Sequence, residues 1–89
     1  MAQRTVTIAA SVGLHARPAA LFVRAAGETG LDVGIGRPGG DPVDARSILA
    51  VMALGATHGE EVVLTAEGDG AEQALDGLVA LLSRDLDAE

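Results

Sequence analysis

Hydrophobic positions along this chain change their period several times, and each change marks an element. Residues 4–9 read Arg-Thr-Val-Thr-Ile-Ala, with Val6 and Ile8 on one face and Thr5 and Thr7 on the other. That two-residue alternation predicts a half-buried strand. A loop follows at residues 11–14, marked by Gly13, and a helix is expected to begin near Ala16. Pro18 suits a first helical turn, where its missing N–H costs nothing. Ala19, Phe22, Val23 and Ala26 fall at helical spacing and make a core stripe, with Gly27 as the expected stop. Residues 31–35 predict a second strand. Gly36-Arg-Pro-Gly-Gly-Asp-Pro42 is turn chemistry, and Val43 opens a short third strand.

Ser47 is placed to cap a short helix running to about Leu54 and ended by Gly55. Residues 61–66 predict a further strand, centred on Val62, Val63 and Leu64. After the Gly68-Asp-Gly70 turn comes the clearest helix, with Leu75, Leu78, Val79, Leu82 and Leu86 at helical spacing. Asp69 is its expected cap, Glu72 completes an aspartate form of the capping box, and Arg84 suits its C-terminal dipole. The order is β-α-β-β-α-β-α. Hairpin-like spacing makes the sheet mainly antiparallel with the helices on one face, an α+β arrangement, in one domain over residues 1–89.

Composition narrows the picture. Almost half the residues are hydrophobic but Phe22 is the only aromatic, so the core must be aliphatic. No cysteine is present, which removes disulfides and thiolate metal sites and fits a reducing compartment. The formal net charge of −7, with all six basic residues arginine, argues against nucleic-acid binding and against docking on anionic lipid. The first ten residues carry one Arg and no long apolar run, so no secretion signal is expected. The longest apolar run, residues 48–56, falls well short of the about 20 needed to span a bilayer, so no membrane insertion is expected. These features predict a cytoplasmic protein.

Candidate chemistry gathers between Gly13 and Pro18. Gly13 lets the backbone turn tightly or approach a ligand. His15 stands at the start of a helix, where outward N–H groups and the dipole favour an anion. Arg17 adds a permanent charge on a planar fork suited to phosphate oxygens. A neutral imidazole is a good nucleophile near neutral pH. Phosphoryl transfer depends mainly on positioning and charge stabilisation, so no cofactor and no metal is expected. By local chemistry alone, a capping histidine beside a solvated arginine is the more usual reading of this segment, and a phosphoryl site is the sharper alternative.

The run Gly13-Leu-His-Ala-Arg-Pro-Ala19 closely resembles the active-site signature of the HPr family, the histidine-containing phosphocarriers of the phosphoenolpyruvate-dependent sugar phosphotransferase system. A second run, Ser47-Ile-Leu-Ala-Val-Met-Ala-Leu-Gly55, resembles the family's short second helix, and the length and element order also agree. The resemblance implies an open-faced sandwich, a four-stranded antiparallel sheet covered on one face by three helices. It implies a bacterial phosphocarrier rather than an enzyme. His15 would take a phosphoryl group at Nδ1 from phosphorylated enzyme I and pass it to enzyme IIA domains for sugar uptake, with Arg17 as its electrostatic partner. One position departs: the residue two before Leu14 is commonly polar in the family and is Val12 here.

The second helix is apolar almost all round. If Ile48 and Val51 face the core, Leu49 and Met52 are left outside, and an exposed apolar patch often marks a partner surface. The alternative is that all of them are core. The resemblance favours docking, with Ala16, Ala20, Leu21, Arg24, Ile48, Leu49, Met52 and Gly55 as the partner face. Arg17 and Arg24 would form a positive rim for acidic partners. Ser47 matches a serine that a dedicated kinase phosphorylates in some Gram-positive relatives, although a plain helix cap is the stronger explanation of it. That kinase, and transcription regulators, are further partners the resemblance allows, and a monomer is expected. A regulatory or nitrogen-branch phosphocarrier would share His15, and a small binding domain without phosphoryl chemistry would share the topology.

Other signals carry less. Gly34-Ile-Gly-Arg-Pro-Gly39 matches a dinucleotide fingerprint literally. Pro38, Gly39, Gly40 and Pro42 forbid the helix that fingerprint must open, so a hairpin connection is expected. His58 is expected in an exposed loop rather than as a metal partner of His15. The Glu60-Glu61 pair is expected to be solvated.

Overall fold

The computed structural model describes residues 2–11 and 13–84; the expectations for Val12 and Leu86 lie outside them. The elements are β1 (Ala2–Thr7), α1 (Ala16–Glu28), β2 (Val33–Gly36), β3 (Val43–Asp44), α2 (Ile48–Leu54), β4 (Glu61–Ala66) and α3 (Ala71–Leu82). The strands form one sheet in the order β1-β4-β2-β3 with every neighbouring pair antiparallel. Three helices and a four-stranded antiparallel sheet in this order form the expected open-faced sandwich.

Period-two patterning decides which face is covered. Val6 of β1, Val62, Leu64 and Ala66 of β4, and Val33 and Ile35 of β2 are buried towards the helices. Gln3, Thr5, Thr7 and Glu61 alternate to the open face and are exposed. The helices close the core with Ala19, Phe22 and Ala26 from α1, Val51 from α2, and Leu75, Leu78 and Leu82 from α3. Val23 is half-buried against the same cluster.

Several element ends differ from the sequence pattern. β1 begins at Ala2, because β4 extends to Ala66 and pairs with it. It ends at Thr7, although Ile8 still donates to the Glu60 carbonyl at 2.9 Å and accepts from Gly59 N–H at 2.9 Å. β2 starts at Val33 because Leu31 belongs to the helix exit, its N–H donating to the Thr29 hydroxyl.

Helix ends shift too. α1 runs through Gly27, which lies exposed and touches nothing that a side chain would meet. It stops at Thr29, whose hydroxyl donates to the Ala26 carbonyl at 2.7 Å, followed by Gly30 with φ 73°. Asp69 does not cap α3; the cap position is Gly70, with φ 79° and no side chain to bond. Arg84 lies past the last turn of α3 rather than in it. The Gly36–Pro42 turn is a hairpin connection as expected, since Gly34 and Ile35 pair with Asp44 and Val43.

Candidate functional site

The loop before α1 is fixed from below. Gly13 N–H donates to the Ala10 carbonyl at 3.0 Å, and Leu14 N–H donates to the Ala56 carbonyl at 2.9 Å. Gly13 has φ 82°, and a Cβ there would lie 2.6 Å from the Ala56 oxygen and 2.9 Å from the Thr57 Cα. The position is therefore closed to any other residue both by conformation and by space. Leu14 is buried on one side of His15, and Pro18 and Ala19 are buried on the other. Between these anchors His15, Ala16 and Arg17 are exposed.

His15 occupies the cap position of the 13-residue α1, and its ring makes no capping bond. Its carbonyl starts the helix by accepting from Ala19 N–H at 2.8 Å. First-turn N–H groups have no carbonyl partner within a helix and carry about half a positive charge between them. Pro18 takes one of those positions without wasting a donor, and no acidic residue occupies the first turn. The chain thus offers a nucleophilic ring, a positive helix end and Arg17 two residues on, with nothing negative in that turn to repel an anion.

α1 and α2 also expose apolar side chains. Leu49 is 79% exposed, Met52 41%, Ile48 39% and Leu21 38%. Of α2's residues only Val51 is buried, so Ile48 is exposed beside Leu49 and Met52, as expected of the partner face, and does not share the core with Val51: seven residues make about two turns, and one core-facing position suffices to seat them. Ala16, Ala20 and Gly55 are exposed on the same two helices or at their ends, and α1 packs against α2. Arg24 is exposed and pairs with Glu28 at 3.9 Å, which reduces the expected positive rim. Ser47 caps α2, its hydroxyl oxygen accepting from Ala50 N–H at 3.2 Å, and Gly55 closes it in the left-handed region at φ 68°.

Glu60 is not simply solvated, as the sequence suggested. One carboxylate oxygen accepts from Thr57 N–H at 2.8 Å and from the Thr57 hydroxyl at 2.6 Å. The other accepts from Arg37. Arg37 also donates to the carbonyls of Leu54 at 2.9 Å and Gly55 at 3.3 Å. The donors from Thr57, ahead of Arg37, hold the Glu60 carboxyl down to about 2. Sequence reasoning missed this cluster because its members are separated by 23 positions; the only signal was an arginine inside turn chemistry. His58 is exposed as expected, and its Nδ1 lies 3.3 Å from the Ala10 carbonyl oxygen.

A surface hollow of 710 Å³ between Arg4 and the start of α3 contains none of these residues. Among the described residues no helix is long and apolar enough to cross a membrane.

Comparison with known proteins agrees over nearly the whole chain. The family model described as "PTS HPr component phosphorylation site" matches residues 2–84. The phosphocarrier protein HPr of Streptomyces coelicolor is 51% identical over 87 residues, covering 98% of this chain and 94% of that one. HPr of Haloferax volcanii is 52% identical over 82 residues, covering 91% and 92%. A crystal structure of HPr from Bacillus anthracis matches with a TM-score of 0.84 at 40% identity, covering 91% of this chain and 95% of the other.

Proposed function

The chain belongs to the HPr family of phosphocarrier proteins, and from that premise we propose that His15 is the residue that carries the phosphoryl group. Its function is that of a phosphocarrier component of the phosphotransferase system, not of an enzyme with turnover of its own. The proposal concerns which atoms do this and against which partners. The observation that carries it is an exposed His15 at the cap of α1, in a first turn without acids and with Arg17 in the same turn.

In the transfer, the lone pair of His15 Nδ1 attacks phosphorus on phosphorylated enzyme I, itself charged by phosphoenolpyruvate. The P–N bond forms as the bond from phosphorus to the donor atom breaks, and the donor keeps that electron pair. Negative charge on the phosphoryl oxygens meets the α1 N-terminus and the Arg17 fork. Transfer to an enzyme IIA domain runs the same exchange in the other direction, with His15 as leaving group. Positioning and charge supply the catalysis in both steps.

Ala16, Ala20, Leu21, Arg24, Ile48, Leu49, Met52 and Gly55 form the face on which enzyme I and IIA domains dock in turn. Ser47, at the edge of that face, is a regulatory phosphorylation position in this reading. The chain acts in the cytoplasm as a monomeric single domain over residues 1–89. The test is intact mass after incubation with phosphoenolpyruvate, Mg²⁺ and enzyme I. One acid-labile phosphoryl adduct, absent in His15→Ala, is expected. An adduct that persists in His15→Ala, or none with a competent enzyme I, contradicts the assignment.

A further inference from the structure

Leu14 N–H and the Gly13 Cα both rest on residues 56 and 57, so whatever holds that segment also holds the loop that presents His15. The segment is gripped from both ends. Arg37 ties down the carbonyls of Leu54 and Gly55 just before Ala56. Glu60 ties down the N–H and hydroxyl of Thr57 just after it. Arg37 and Glu60 then bond to each other, closing a ring of contacts around the Ala56 peptide. Ala56 itself is buried, so the grip acts on a backbone that cannot swing out to solvent without opening the core.

We propose that Arg37 and Glu60 are positioning residues for phosphoryl transfer, acting through the Ala56 carbonyl on the residue 13–15 loop. This rests on the reading of His15 as acceptor. Their effect is to keep Leu14, and therefore His15, at one height above the α1 N-terminus. In-line transfer is sensitive to such placement, since a misplacement of about 1 Å costs up to about a hundredfold in rate. Of the docking residues only Gly55 meets the clamp, through its backbone carbonyl, and the docking side chains lie outside it, so loss of the clamp acts on the transfer step more than on partner affinity. The bonds from Thr57 and Arg37 hold the Glu60 carboxyl down to about 2, so the clamp is charged near neutral pH.

The experiment is phosphoryl uptake from enzyme I by the full chain, with Glu60→Ala, Arg37→Ala, the double variant, and Glu61→Ala as the neighbouring-acid control. Amide exchange of Leu14 N–H is measured on the same samples. Each clamp variant is expected to lower kcat by roughly five- to tenfold with KM for enzyme I unchanged, and to speed Leu14 exchange. The double variant is expected to lose no more than the worse single, because both residues serve one structure. Glu61→Ala, exposed on β4, is expected to change nothing.

Wild-type rates in the clamp variants, losses that multiply in the double, or a rise in KM with Leu14 exchange unchanged each overturn the proposal. Should a clamp variant fail to fold, Thr57→Val removes one donor only and is expected to give a smaller kcat loss in the same direction; no loss there overturns it. If the unaltered chain takes its phosphoryl group at a residue other than His15, the acceptor reading falls and the clamp with it. If His15 is the acceptor and the clamp variants run at full rate, the clamp alone falls.

Discussion

The α1–α2 edge and α3 cover the same sheet by opposite means. α3 buries Ala71, Leu75, Leu78 and Leu82 and turns Glu72 and Asp76 outward, where Arg4 of β1 pairs with both. α2 buries Val51 alone and turns Ile48, Leu49 and Met52 outward. The two helix starts differ in the same way. α3 carries an acid in its first turn, which satisfies the dipole internally, whereas α1 carries none and places a histidine at its cap. Fully burying a leucine is worth about 1.5–3 kcal/mol, a gain that folding leaves unused at Leu49. Burial is thus complete along one face of α3 and of α1, where Phe22 is fully enclosed, whereas α2 leaves apolar side chains and α1 leaves a positive end exposed, the two features that the proposed docking and phosphoryl acceptance would use.

Five substitutions, the last read by acid titration, can break that division. The largest effect is expected from His15→Ala, which should abolish phosphoryl acceptance while leaving the melting temperature unchanged; intact mass and a thermal scan check it. Next is Leu75→Ala, which removes a fully buried side chain of α3 and should cost about 2–5 kcal/mol in urea unfolding. Its KM for enzyme I should not move. Leu49→Asp should do the reverse, raising KM for enzyme I about tenfold with stability within about 0.5 kcal/mol of the parent. Should Leu49→Asp unfold the chain as Leu75→Ala does, the division fails.

Ser47→Asp keeps a side-chain oxygen at the α2 cap but puts negative charge at the docking edge. It should slow transfer from enzyme I less than Leu49→Asp, and unchanged kinetics would count against that placement. The smallest effect concerns Glu60. Its carboxyl is depressed from an ordinary 4.5 to about 2, so its contribution is complete above 4.5 and drains as pH falls towards 2. Acid unfolding of Glu60→Gln should therefore be flatter across that window, and an identical pH profile would show that its bonds to Thr57 and Arg37 add nothing to folding.

Much of this was legible in the sequence because it depends on local periodicity. Alternation at Val6 and Ile8, helical spacing from Leu75 to Leu82, and the Ser47 cap all report on neighbours within a turn or a strand. The apolar excess of α2 was legible for the same reason, whereas His15 and Arg17 were singled out by the resemblance of residues 13–19 to the HPr signature, because local chemistry alone favoured a capping histidine. What escaped depends on backbone angles or distant partners. Gly27 reads as a stop, yet an exposed glycine can stay helical when Thr29 and Gly30 close the helix one turn later. Asp69 reads as a cap, yet the left-handed turn at Gly70 puts the cap one residue on. Glu60 and Glu61 look alike in sequence; only the fold brings Arg37 to the first and leaves the second exposed on β4.

The most direct test of the central claim is the nitrogen spectrum of the phosphorylated chain. With two histidines in the sequence, imidazole ¹⁵N signals can be assigned without ambiguity by comparison with His58→Gln. The account predicts phosphorus coupling at Nδ1 of His15 and an unchanged His58 ring. Coupling on His58, or a phosphoryl group with no imidazole coupling at all, would contradict it.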